Sequence, residues 1–253
     1  MISFTRADIP LIPEDVAFAI APCAGRELTD TGLRSDIAHS LFSHLATRMG
    51  FGDADITVEK EIGGRPVVIA GDERWGASIT HTPGMIACAV NRKGEIGLDL
   101  ERTDRSEHPA LRKRMLSSGD DPDLLDRCST IQLWTIKEAV LKLHGSGLRV
   151  PMKTVALMPV DDVRNDSASK FIPVVNRTGT GGNMGIGRND SSAAVRPGKS
   201  EDRTDADSAA DNPGQVRDAS TDVLVRARVH DLEALVCSGR IDGFRFALAW
   251  QIP

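Results

Sequence analysis

The run Ile96-Gly97-Leu98-Asp99-Leu100-Glu101, followed by Trp134-Thr135-Ile136-Lys137-Glu138-Ala139-Val140-Leu141-Lys142, sets three carboxylates and two lysines on two short segments. Clustered carboxylate oxygens suit a hard divalent cation, and lysines beside them balance phosphate charge. Such a set can hold a metal against a pyrophosphate and move a phosphoryl-linked group.

Two different elements must position these groups. In the first segment Ile96, Leu98 and Leu100 alternate with Gly97, Asp99 and Glu101. On a strand the two sets point to opposite faces. The apolar set is expected to face a core, and Gly97 to leave space for a bulky ligand beside the carboxylates. Neighbouring carboxylates repel unless a cation or proton lies between them. The same pattern also describes an amphipathic edge strand with a solvated acidic face.

The second segment carries helix signals. Ser129-Thr130-Ile131-Gln132 has the form of a capping box, and Gly145 and Gly147 are stop signals. Leu133, Ile136, Val140 and Leu143 recur at helical spacing and predict one buried stripe. Glu138 and Lys142, four apart, share a face. As a plain surface ion pair they would contribute about 0.3–0.5 kcal/mol. Spacing alone leaves both readings open.

Taken together, the two segments resemble the 4′-phosphopantetheinyl transferases. That family's signature is Gly-x-Asp-x-Glu, then, some tens of residues later, Trp/Phe-x-x-Lys-Glu-Ala-x-x-Lys. Both parts are complete here, with a Gly-x-Gly-Leu continuation at Gly145 to Leu148. Upstream, Gly64-Arg65-Pro66 resembles the family's Gly-Lys-Pro element and Thr80-His81-Thr82 its Ser-His-Ser element. The likeness spans about Gly64 to Leu148 and is poor after Pro159. Asp99 lies well inside the chain behind an N-terminal half, and Glu101 follows as a third carboxylate. Both points favour the larger, monomeric type over the small trimeric one.

The resemblance implies an α+β fold of two similar halves, each a mainly antiparallel sheet packed with a long helix, with the active site between them. It implies coenzyme A as donor, a serine on an apo carrier protein as acceptor, and 3′,5′-ADP as product. Asp99, Glu101 and Glu138 would coordinate Mg²⁺. Glu138 would take the serine proton, directly or through water, and Lys142 would neutralise phosphate charge and protonate the leaving group. Arg34, Arg65, Thr80, His81, Lys137 and Lys142 would contact coenzyme A. Arg65 stands where lysine is usual, and a planar fork is not a point charge. His39 and His44 are read as structural. Two rival readings use the same residues: a different Mg²⁺-dependent phosphotransferase or hydrolase, and a non-catalytic carrier-binding protein.

Carrier proteins present acidic helices, so Arg112-Lys113-Arg114 with Met115-Leu116 reads as a docking patch; a merely solvated basic helix face is the competing reading. The net charge of -5 argues against nucleic acid as the main partner. No apolar run approaches the ~20 residues of a membrane span. The N-terminus lacks a signal-peptide pattern, so a cytoplasmic location is expected. The four cysteines, Cys23, Cys88, Cys128 and Cys237, are scattered and predict free thiols.

Apolar patterning predicts a helix over about 31–49 and strands at 56–61, 66–70, 77–80 and 85–90. A helix near 109–117, a strand at 155–160 and strands from 223 onward follow. The halves divide at about residue 95, as 1–95 and 96–253. Residues 165–222 are rich in Gly, Ser, Asp, Asn and Arg, which predicts a disordered insertion with a short strand at 171–175. Its Gly198-Lys199-Ser200 run only partly matches a phosphate-binding loop, and its Asn176-Arg177-Thr178 sequon has no secretory context.

Overall fold

A computed structural model describes residues 1–23, 30–51, 56–160 and 223–252. The expected insertion over 165–222, with its short strand, Gly-Lys-Ser run and sequon, lies outside the described residues.

Alternating apolar segments pair into two antiparallel sheets. The first contains β1 (Ile2–Phe4), β2 (Val16–Cys23), β3 (Ile56–Lys60), β4 (Pro66–Ala70), β5 (Glu73–Thr82) and β6 (Gly84–Asn91), in the order β1-β2-β6-β5-β4-β3. The second contains β7 (Ile96–Arg102), β8 (Ala156–Pro159), β9 (Val223–Val229), β10 (Leu232–Ile241) and β11 (Phe244–Gln251), in the order β7-β11-β10-β9-β8. The helices are α1 (Thr31–Ala46), α2 (Leu111–Met115), α3 (Pro122–Arg127) and α4 (Thr130–His144). The α+β class read from the sequence is the one observed.

Each sheet has two apolar faces, which dictates a layered stack. Trp75, Ala77 and Val90 meet Leu41, Phe42 and Leu45 of α1 on one face of the first sheet. Its other face contributes Phe18, Ile20 and Met85, which meet Ile96, Leu98, Leu100 and Phe246 of the second sheet. Leu133, Ile136 and Val140 of α4 cover the far face of the second sheet, against Val225, Val236 and Ala247. Phe18 joins the central layer, with ring centroids 4.8 Å from Phe4 and 5.1 Å from Phe246. Each large side chain so buried contributes about 1.5–3 kcal/mol.

Several elements differ from the sequence reading. α1 stops at Ala46, short of the expected end near residue 49, and its Leu33 is 41% exposed. The short helix α3, capped by Asp121, was not foreseen. α4 is buried nearly all round because the second sheet and the 111–128 segment enclose it; only Thr130, Trp134, Glu138, Lys142 and His144 stay partly exposed along it. Among the described residues no helix is long and apolar enough to cross a membrane. All four cysteines are buried thiols outside any disulfide.

Candidate functional site

β7 is the edge strand of the second sheet. Its unpaired edge is covered by β5, whose Ser78, Thr80 and Thr82 point toward it at the two-residue spacing of a strand. Ser78 Oγ accepts the Leu98 N–H at 2.9 Å. Thr80 Oγ1 donates to Asp99 Oδ1 at 3.0 Å, and Thr82 Oγ1 donates to Glu101 Oε2 at 3.3 Å. This hydroxyl ladder fixes both carboxylates from the first sheet. Thr80, expected to touch the nucleotide, is buried and its proton is committed to Asp99.

From the other side comes α4. Ser129 caps its N-terminus through Gln132 N–H at 3.2 Å, and Gly145 closes its C-terminus in the left-handed conformation. The helix crosses β7 at Gly97, where an added Cβ would overlap the Ala139 carbonyl and the Leu143 N–H. The space at Gly97 therefore belongs to α4 and not to a ligand, which corrects the sequence reading. The close crossing brings Glu138 and Lys142 to the carboxylates. Lys142 Nζ lies 2.8 Å from Asp99 Oδ1 and 3.4 Å from Glu138 Oε1, and donates to the Leu98 carbonyl at 3.1 Å.

The electrostatics match a crowded acidic site. Burial raises the Glu138 pKa, and the Asp99 charge raises it further against the lowering by Lys142. Burial likewise raises Glu101; the nearby Arg105 opposes this and Asp99 adds to it. Asp99 Oδ2 is buried without a hydrogen-bond partner. Among the described residues no three His, Cys, Asp or Glu side chains are gathered closely enough to hold a metal ion as they stand. A lysine ammonium bridges Asp99 and Glu138 instead. The donor set nonetheless fits a hard cation in kind: oxygen donors throughout, one buried and unpartnered, and two carboxyls whose charge is held at a cost.

The remaining expected contacts separate into two groups. Arg34 of α1 and His81 of β5 come together, with Nη1 and Nε2 3.1 Å apart. His81 alternates with the two threonines and is exposed. Partial desolvation of its ring lowers its pKa, as do the charges of Arg34 and Lys142.

Lys137 does not join the site. Its ammonium is fully buried, 2.8 Å from Asp120 Oδ2, and donates to the carbonyls of Met115 and Val155. Asp120 in turn accepts the N–H groups of Ser117 and Leu157. Lys137 thus pins α4 to β8 and to the loop after α2, and it has no charge to offer a phosphate. The reason is directional: one helical position from Glu138 is a turn of about 100°.

Arg65 is likewise engaged, donating to the Leu143 carbonyl at 2.8 Å and pairing with Glu95 at 3.0 Å. In the expected docking patch Arg112 is spent on the Cys128 and Leu125 carbonyls and Met115 is buried, leaving Lys113, Arg114 and Leu116 exposed. His44 meets Ser3 Oγ at 3.0 Å, whereas His39 is exposed rather than packed.

Three side chains were missed. Arg105 pairs with Glu101 and lies over the Trp134 ring, 5.0 Å from its centroid. Arg245, buried, stands opposite Glu101 across the β7–β11 pair. Asp120 anchors Lys137. Arg105 follows Glu101 at four residues, but that spacing brings side chains together only on a helix, so the signal could not be read from β7.

A family model described as the 4′-phosphopantetheinyl transferase superfamily matches residues 95–179. That segment contains Asp99, Glu101, Glu138 and Lys142; the Arg65 and Thr80–Thr82 elements lie before it. No curated protein matches the chain at a significant level.

Proposed function

We propose that this protein transfers the 4′-phosphopantetheine arm of coenzyme A to a serine hydroxyl of an apo acyl or peptidyl carrier protein, as a monomer of the larger, two-half type. The observation that carries the reading is that Lys142 of α4 lies against Asp99 of β7 and Glu138, within electrostatic reach of Glu101, inside the segment that matches the superfamily.

In the transfer, the serine oxygen bonds to the phosphorus that bears pantetheine. The bond from that phosphorus to the bridging oxygen breaks, and 3′,5′-ADP leaves. Asp99, Glu101 and Glu138 would hold Mg²⁺, which supplies positive charge beside the pyrophosphate. Glu138 accepts the serine proton, directly or through one water; the metal would hold its pKa low, so its basicity is modest. Lys142, held against Asp99 and Glu138, meets the negative charge that builds on the leaving phosphate. Arg34 and His81 offer donors to the nucleotide phosphates. Thr80 and Thr82 hold the two strand carboxylates in register. Lys113 and Arg114 face the acidic carrier.

Incubation with coenzyme A, Mg²⁺ and several apo carrier proteins tests the proposal by mass spectrometry. The expected result is a carrier heavier by one phosphopantetheine. Phosphate release with no gain on any carrier would support a hydrolase instead. Carrier binding without either product would support a non-catalytic role. Across the carriers, the one modified fastest identifies the pathway served.

A further inference from the structure

We propose that Arg105 is a built-in counter-ion that competes with the divalent cation for Glu101, and so sets how tightly the site takes its metal. The inference rests on the reading of Asp99, Glu101 and Glu138 as cation ligands.

The three carboxylates are unequally available. Asp99 has one oxygen with no partner. Glu138 meets Lys142 at 3.4 Å, at the loose end of an ion pair. Glu101 has both oxygens engaged: Oε1 with the Arg105 guanidinium, and Oε2 with Thr82 at 3.3 Å. A cation that binds Glu101 must come up beside one of these partners, since each oxygen still has a second lone pair. The threonine hydroxyl is neutral and can rotate. The guanidinium carries a full charge that a second cation repels.

Arg105 is built to hold this position and to leave it. It lies in the turn after β7, where its N–H bonds the Arg102 carbonyl at 3.3 Å. Trp134, one turn before Glu138 on α4, supplies the aromatic face beneath the guanidinium. Stacking orients the planar group toward Glu101 without using its N–H donors. The Arg105 side chain is 37% exposed against 16% for Glu101, so its charge can return to water on release. Lys142, 23% exposed, is held at once by Asp99, Glu138 and the Leu98 carbonyl, and Arg245 is buried. At Glu101 the competition is therefore between Arg105 and the metal.

Isothermal titration of Mn²⁺ into the full chain, without coenzyme A, tests the proposal. Arg105→Ala is expected to tighten Mn²⁺ binding about fivefold, the equivalent of one partly exposed ion pair. In a Glu101→Gln background the same change is expected to have no effect. Tightening of equal size there would mean only a long-range charge effect, and would overturn the competition. Unchanged or weaker binding by Arg105→Ala, while Asp99→Ala still abolishes it, would also overturn it. Mn²⁺ binding that survives Asp99→Ala removes the metal reading, and this proposal with it. A second readout needs no affinity change: Mg²⁺ should shift the Trp134 emission of the wild-type protein, and the shift should vanish in Arg105→Ala and in Trp134→Phe. Identical Mg²⁺-induced shifts in wild type and Arg105→Ala count against the proposal.

Discussion

Arg65 Nη2 donates to the Leu143 carbonyl at 2.8 Å, so the turn before β4 in the first sheet closes on the last turn of α4, the helix that covers the second. Gly145 makes this approach possible. It has a φ of 80°, and an added Cβ would overlap the Arg65 guanidinium. Arg65→Lys keeps the charge but loses the fork, and is expected to cost about 1–2 kcal/mol in urea unfolding. Coenzyme A affinity should stay within error. Unaltered stability with a marked loss of coenzyme A binding would return Arg65 to the nucleotide.

Gly97→Ala should fail at the level of folding rather than catalysis. The methyl group meets backbone atoms of α4, which cannot swing aside as a side chain can. A loss of about 3 kcal/mol or more, or recovery only in the insoluble fraction, is expected. A variant as stable as wild type but defective only in transfer would restore the ligand-space reading.

Lys137→Met leaves Asp120 charged and buried. Breaking one side of such a pair costs about 3–5 kcal/mol. The measurable signature is a lower denaturation midpoint with unchanged coenzyme A affinity in the folded fraction. Binding weakened at constant stability would contradict the placement of Lys137.

Asp99→Asn keeps the side-chain shape and the Thr80 contact while removing the charge that Lys142 meets. Transfer to carrier is expected to fall by about a thousandfold or more. Circular dichroism should stay native. Retention of most of the activity would rule out Asp99 as a ligand or anchor of the reaction.

His81 links pH to stability. Its pKa in the folded protein is lowered, first by burial and then by Arg34 and Lys142. The unfolded chain therefore takes up the proton first as pH falls. The stability contribution is complete above the ordinary histidine value of about 6.5 and is lost as pH drops through it toward the lowered value. His81→Gln should flatten the slope of unfolding free energy against pH just below about 6.5. A slope identical to wild type would show that other groups govern this window.

Much of the site could be read along the chain. Strand alternation placed Asp99 and Glu101 together, and helical spacing placed Glu138 beside Lys142. Both are local regularities set by backbone geometry. Lys137 shows the limit of that reading. Its neighbour Glu138 points into the site while Lys137 points into a core, and no local rule says which face of α4 the loop after α2 will cover. Arg105 and Trp134 are 29 residues apart in sequence, and only the packing of α4 on β7 brings them together.

Read alone, the chain already specified the chemistry on offer: three carboxylates and a lysine on two elements of known periodicity, with glycines beside them. Packing settled which of the surrounding cations remain available. Arg65 and Arg112 donate to carbonyls and Lys137 pairs with a buried aspartate, whereas Lys142 and Arg105 stand against the acidic cluster. A long cationic side chain settles wherever unpaired acceptors lie, and the position of those acceptors depends on how sheets and helices pack, not on neighbours in the chain.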